Sequence, residues 1–218
     1  MSGFWLKILA MVSMLIDHAG MVLFPQMQGL RVLGRLAFPL YCFLLAEGAV
    51  HTSDSKRYLG RLLGFALLSE IPFDLACHNT ALWMQSQNVF FTLFLGLAAC
   101  ELLKRFAPER PFWSLVGVAG LAGLAEILQT DYGAFGVGLV IVFYICRTSP
   151  ARGTILFTIL NTGFSLLNHM TLQLAAPVAV LPILLYNGQR GRALNKYVFY
   201  WVYPIHLLLL FFLRRFLM

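Results

Sequence analysis

The chain has 218 residues, 60% of them hydrophobic and only 11% charged, with a mean hydropathy of +0.78. No water-soluble domain of this length carries so much apolar surface, so the composition excludes a soluble globular enzyme and predicts an all-α, multispan membrane protein. The formal net charge of +7 would suit nucleic acid if it formed one patch, but the basic residues are distributed among connections and no nucleic-acid partner is expected.

Apolar runs predict about nine spans, at 4–24, 33–51, 58–77, 88–103, 112–128, 132–147, 153–169, 172–187 and 197–217, with eight to ten compatible with the pattern. All connections are short, so residues 1–218 read as a single integral membrane domain. The first run is longer than a signal-peptide core and carries Lys7, Asp17 and His18, so no removable signal is expected. Lys56, Arg57 and Arg61 mark the second connection, and Lys104, Arg105 and Arg110 the fourth. Arg147 and Arg152 mark the sixth, and Arg190, Arg192 and Lys196 the eighth. The third, fifth and seventh connections carry neither Lys nor Arg, which puts the N-terminus in the cytoplasm and the C-terminus outside. Arg31, Arg35, Arg214 and Arg215 run against that rule. The runs 132–147 and 172–187 are short for a bilayer crossing.

Inside the first span stand Asp17 and His18. A mid-membrane Asp costs about 2.5–3.5 kcal/mol on insertion scales, so such residues face a protein interior or wet cavity. Adjacent helical positions are about 100° apart, and both side chains can address one cavity. One reading makes His18 a general base with Asp17 supplying orientation or charge; the other makes them a buried polar pair that pins helices together. Arg31 and Arg35 follow one turn apart, and Pro39 is expected to kink the second span and free a carbonyl. Glu47 and His51 lead into a polar turn in which Ser53 or Asp54 caps the next helix. Arg57 and Arg61 share a face that suits phosphate, though contact with anionic lipid accounts for them equally well.

The third span closes with Ser69-Glu70-Ile71-Pro72-Phe73-Asp74, placing Glu70 and Asp74 on one face. Two carboxylates at membrane depth demand a cation or a proton, and Arg35, in the same half of the membrane, is the expected partner. Asn88, Thr92, Asp131 and Tyr132 map to that half as well. The last span spaces Tyr200, Tyr203 and His206 three residues apart, with His206 too deep for an interfacial aromatic belt. Cys42, Cys77, Cys100 and Cys146 lack metal-ligand spacing and read as packing residues; no metal is expected. Glycines at 117, 120, 123, 133, 136 and 138 suit close helix contact and follow no strand, against a nucleotide-binding loop.

Several blocks resemble the TraX family of membrane proteins: Met14-Leu15-Ile16-Asp17-His18-Ala19-Gly20, Arg31-Val32-Leu33-Gly34-Arg35-Leu36-Ala37-Phe38-Pro39 and Phe43-Leu44-Leu45-Ala46-Glu47-Gly48. The likeness continues through Arg57-Tyr58-Leu59-Gly60-Arg61, Ser69–Asp74, Asn88-Val89-Phe90-Phe91-Thr92, Tyr132-Gly133 and Tyr203-Pro204-Ile205-His206. The family is named for a protein that acetylates a conjugative pilin at its N-terminal amine, and it looks related to the polytopic membrane acyltransferases. The resemblance implies an acetyl-CoA-dependent acetyltransferase of the bacterial inner membrane with His18 and Asp17 in the catalytic position. Acetyl transfer then needs an oxyanion donor, for which Arg35, Tyr132 and Asn88 are candidates, and cations for the CoA phosphates, for which Arg57, Arg61, Lys104 and Arg105 are placed. Glu70, Asp74 and His206 would support the site or the acceptor, an amine or hydroxyl. A proton-coupled transporter using Asp17, Glu70 and Asp74 as a relay, and a scaffold whose polar residues only fix packing, remain the rival readings.

Overall fold

The computed structural model describes residues 1–192 and 195–217, and the Lys196 side chain, counted above with the eighth connection, lies outside the described part. The described chain is helical, its only β-type pairing being an isolated bridge between Gln87 and Thr130. The helices are α1 (Gly3–Val22), α2 (Gln28–Gly34), α3 (Ala37–His51), α4 (Ser55–His78), α5 (Val89–Phe106), α6 (Pro111–Ile127), α7 (Gly133–Ile145) and α8 (Pro150–Leu167). A 3₁₀ segment, Thr171–Ala179, runs into the short α9 (Val180–Leu184), and α10 (Lys196–Leu217) closes the chain.

Three stretches are long and apolar enough to cross a membrane: Gly3–Val22, Gln28–His51 taken through its break, and Tyr197–Leu217. Other apolar helices are shorter; α7, with 13 residues, is about 20 Å long against a hydrocarbon core of about 30 Å. Half of the predicted run 172–187 is 3₁₀, where Pro177 removes a backbone donor that an α-helix would use, and Pro182 falls in the first turn of α9, where no such donor is needed.

The predicted span 33–51 is not continuous. Helix α2 ends at Gly34 and α3 begins at Ala37, so Arg35 and Leu36 form a joint between them. Pro39 is the third residue of α3, where an N–H has no helical partner anyway, so it starts the helix and frees no carbonyl, contrary to the expected kink. Asp54 caps α4 by accepting from the Arg57 backbone N–H at 2.9 Å, as the polar turn suggested.

Helix α1 packs on α2, α3 and α10, α4 lies between α5 and α10, and α7 joins α3, α5, α6 and α8. Ala10, Ala49, Ala66, Ala76 and Ala99 are fully buried at these contacts. Small residues are what an apolar solvent demands, since helices there associate by close van der Waals contact and gain nothing from burying leucine away from lipid. The outward surface is correspondingly apolar: Ile127, Leu167 and Phe216 are each at least 80% exposed. Of the predicted contact glycines, Gly117 lies against Leu102 and Gly136 against Thr92 and Phe38, whereas Gly120, Gly123 and Gly138 face open space. Cys42 and Cys100 are buried, Cys77 and Cys146 partly so.

Candidate active site

Two adjacent residues of α1 send their side chains in different directions. Asp17 faces α2, where its Oδ1 accepts from Arg31 Nε at 3.1 Å and its Oδ2 accepts from Arg35 Nη2. The helix can come this close because residue 34 has no side chain: a Cβ built on Gly34 would overlap Asp17 itself. Arg35 Nη1 donates to the Tyr132 hydroxyl at 3.3 Å. Tyr132 stacks on Phe38 with ring centroids 3.7 Å apart, and its backbone is left-handed at φ 65°. That conformation costs a non-glycine residue about 1–3 kcal/mol and persists where surrounding contacts over-determine it. Here the Asp131 N–H donates to the Gln87 carbonyl at 2.8 Å, and the Thr92 hydroxyl donates to the Asp131 carbonyl.

His18 turns to α10. Its Nδ1 lies 2.8 Å from His206 Nε2, and His206 Nδ1 lies 2.7 Å from the Val202 carbonyl oxygen. The tautomers follow. A carbonyl only accepts, so His206 Nδ1 carries a proton; the neutral ring then offers Nε2 as an acceptor, and His18 donates from Nδ1. This leaves the lone pair of His18 on Nε2, which meets no partner among the described residues. His18 is partly exposed while His206 is buried. Tyr203, also buried, presents itself to His18 at 5.8 Å between centroids with the ring planes tilted by 69°.

The site is therefore two sets of contacts, His18 with His206 and Asp17 with Arg31, Arg35 and, through Arg35, Tyr132, that meet only where Asp17 and His18 adjoin along α1. Asp131 lies within electrostatic reach of both guanidiniums as well, so the cluster sets two arginines against two carboxylates, and Arg35 Nε is buried without a hydrogen-bond partner in the described structure. A spare buried donor beside a free imidazole lone pair is the equipment for removing a proton and meeting the negative charge that then develops.

Three sequence expectations need correction. Of the two roles expected of Asp17, orientation or charge, the first does not hold, since its oxygens are taken by the arginines and the His18 ring is hydrogen-bonded to His206 instead. Arg35 does not neutralise Glu70 and Asp74, because Asp17 is nearer to hand across the α1–α2 contact. Glu70 Oε2 instead accepts from Asn88, and Asp74 Oδ2 accepts from the Trp83 N–H at 2.7 Å. Asn88 is fully buried, with its amide donating to Glu70 and to the Ala66 carbonyl and its oxygen capping α5 at Phe90. Its groups are spent tying α4 to α5, so it is not brought to His18 as an oxyanion donor.

The four basic residues expected at CoA phosphates stand where α4 begins and α5 ends. Arg57 is exposed and pairs with Asp54 at 3.0 Å, Arg61 lies over the Tyr58 ring, and Lys104 reaches Glu101 at 3.9 Å. Arg105 is exposed in the last turn of α5. Sequence reasoning missed Gly34 and Phe38; a glycine set between two arginines spaced one turn apart was the available signal for the first. Beside the dyad, a groove of about 710 Å³ runs between α1 and α10, lined by Leu15, Trp201, Val202, Ile205, His206 and Leu209 among others.

Fold and site define an all-helical protein of the membrane type, with a histidine pair joining its first and last helices and an arginine–aspartate cluster beside it. The chain belongs to the TraX protein family, whose model matches residues 2–214. It is 30% identical over 240 aligned residues to the probable fimbrial assembly protein FimC, serogroup H1, of Dichelobacter nodosus, covering 99% of this chain and 97% of that one. It is 25% identical over 146 residues to an uncharacterised protein of Rickettsia prowazekii (strain Madrid E), covering 65% of this chain and 54% of the other. No solved structure matches the chain.

Proposed function

We propose that the protein is an integral membrane acetyltransferase that moves acetyl from cytosolic acetyl-CoA to an amine or hydroxyl at the outer side. The observation that carries this reading is the hydrogen-bonded pair His18–His206, which leaves His18 Nε2 as an unoccupied base. In the proposed step His18 Nε2 takes the proton of the acceptor amine or hydroxyl as it attacks the thioester carbonyl. The carbonyl oxygen becomes an oxyanion, for which Arg35 and its neighbour Tyr132 are the proposed donors. Collapse breaks the carbon–sulfur bond, and the proton held on the dyad goes to the departing CoA thiolate. A positive charge on His18 during the step is shared through Nδ1 with His206.

Arg57, Arg61, Lys104 and Arg105 are proposed to hold the phosphates of the donor, at the end of the bundle where α4 begins and α5 ends. The orientation with that end in the cytoplasm follows from the charge distribution among connections. Membership of a family that includes a probable fimbrial assembly protein favours a peptide amine, such as a pilin N-terminus, as the acceptor.

The test is transfer of labelled acetyl from acetyl-CoA in proteoliposomes, with His18→Ala beside the unchanged protein. Loss of transfer in a variant that still inserts and melts normally is expected. Full transfer by His18→Ala would remove the assignment.

A further inference from the structure

The two arginines at the end of α10 have no place in the chemistry above and run against the charge distribution of the other connections. Arg214 and Arg215 occupy the last turn of α10 and meet no carboxylate among the described residues. They are consecutive, so their side chains leave the helix about 100° apart. Both nevertheless line one pocket, of about 200 Å³, together with Phe211 and Asn79. The pocket therefore wraps the end of α10 and is closed by the residue that terminates α4. Asn79 is that residue. Its backbone is left-handed at φ 57°, which ends the helix and swings the side chain out of the α4 register. No hydrogen bond engages its amide among the described residues.

The carbonyl ends of α4 and α10 take up part of the positive field. Two guanidiniums still present up to ten N–H donors between them, and the Asn79 amide adds two more, around a space with an aromatic wall. Donors in this number, with no carboxylate opposite among the described residues, suit an oxyanion, and a phosphate group, with oxygens to spare for both guanidiniums bidentately and for the Asn79 amide, uses the most of them. We propose that the Asn79–Arg214–Arg215 pocket binds a phosphate group, carried by an anionic lipid headgroup or free in solution. It is separate from the donor-phosphate residues, which lie at the end of the bundle where α4 begins.

The protein in detergent is titrated with phosphatidylglycerol, with phosphatidylcholine of the same chains, and with inorganic phosphate. Lipid binding is read by native mass spectrometry and phosphate binding by thermal shift. The R214Q/R215Q variant is compared with R110Q/R152Q, which removes the same charge from exposed arginines outside the pocket. An N79A variant keeps both charges. Retention of phosphatidylglycerol about tenfold better than phosphatidylcholine, abolished by R214Q/R215Q, weakened by N79A and untouched by R110Q/R152Q, identifies a headgroup site. A saturable phosphate shift with the same variant pattern, without lipid preference, identifies a small-anion site. If R110Q/R152Q lowers binding as much as R214Q/R215Q, or if R214Q/R215Q changes neither arm, the pocket is not a site and the proposal fails. None of these readouts depends on acetyl transfer.

Discussion

At the scale of single residues, the site rests on what each imidazole nitrogen can do. His206→Phe keeps a ring beside Tyr203 but offers His18 no acceptor. Acetyl transfer is expected to fall about 100-fold in kcat, with KM for acetyl-CoA unchanged, because orientation and charge sharing are lost while donor contacts stay. Steady-state kinetics on the two proteins checks this. Asp17→Asn takes from Arg31 and Arg35 the carboxylate that both of them touch and is expected to destabilise the fold by about 3–5 kcal/mol. The melting temperature in detergent should drop accordingly, and should recover in part when Arg31 is also made Gln. The sequence made Asp17, His18 and His206 visible as ionisable groups too deep for water. It could not pair them. Depth alone assigned Arg35 to Glu70 and Asp74, since all three belong to one half of the membrane, and only the α1–α2 contact through Gly34 shows that Asp17 reaches the guanidinium first.

At the scale of elements, the joint at Arg35–Leu36 governs how the arginines are delivered. Gly34→Ala would drive a methyl group into Asp17, so α2 must retreat. A loss of about 1–3 kcal/mol and a large loss of transfer are expected, read by thermal melting and by the labelled-acetyl assay. Pro39→Ala, by contrast, should stay within about 0.5 kcal/mol, because the first turn of α3 uses no N–H at that position. The boundary was legible in principle: proline is favoured in the first turn of a helix, so Pro39 signals a start just before it more than a kink inside it. The hydropathy run hid this because Leu33, Leu36 and Phe38 keep the stretch apolar across the joint. The helix starts at Asp54, Asn88 and Pro111 were easier, since polar caps and proline interrupt the apolar pattern there.

For the molecule as a whole, donor binding is the measurement that bears on every part of the functional reading. A ligand that binds only the folded protein stabilises it by about 2.7 kcal/mol at 100 times its Kd, so acetyl-CoA should raise the melting temperature saturably while unrelated nucleotides do not. The same shift should persist in His18→Ala, which removes the proposed base and leaves the basic residues of α4 and α5 in place.

The contact between His18 and His206 joins residues 188 positions apart. Among the described helices, α1 leaves the ribosome before the others and α10 after them. Until α10 docks, His18 lacks its hydrogen-bond partner, so an unfinished chain holds every arginine of the cluster and still lacks the His18–His206 pair on which the proposed base rests. Truncation before residue 206 is expected to yield an inserted but silent protein, and co-expression of the missing helix as a separate segment is the way to restore it.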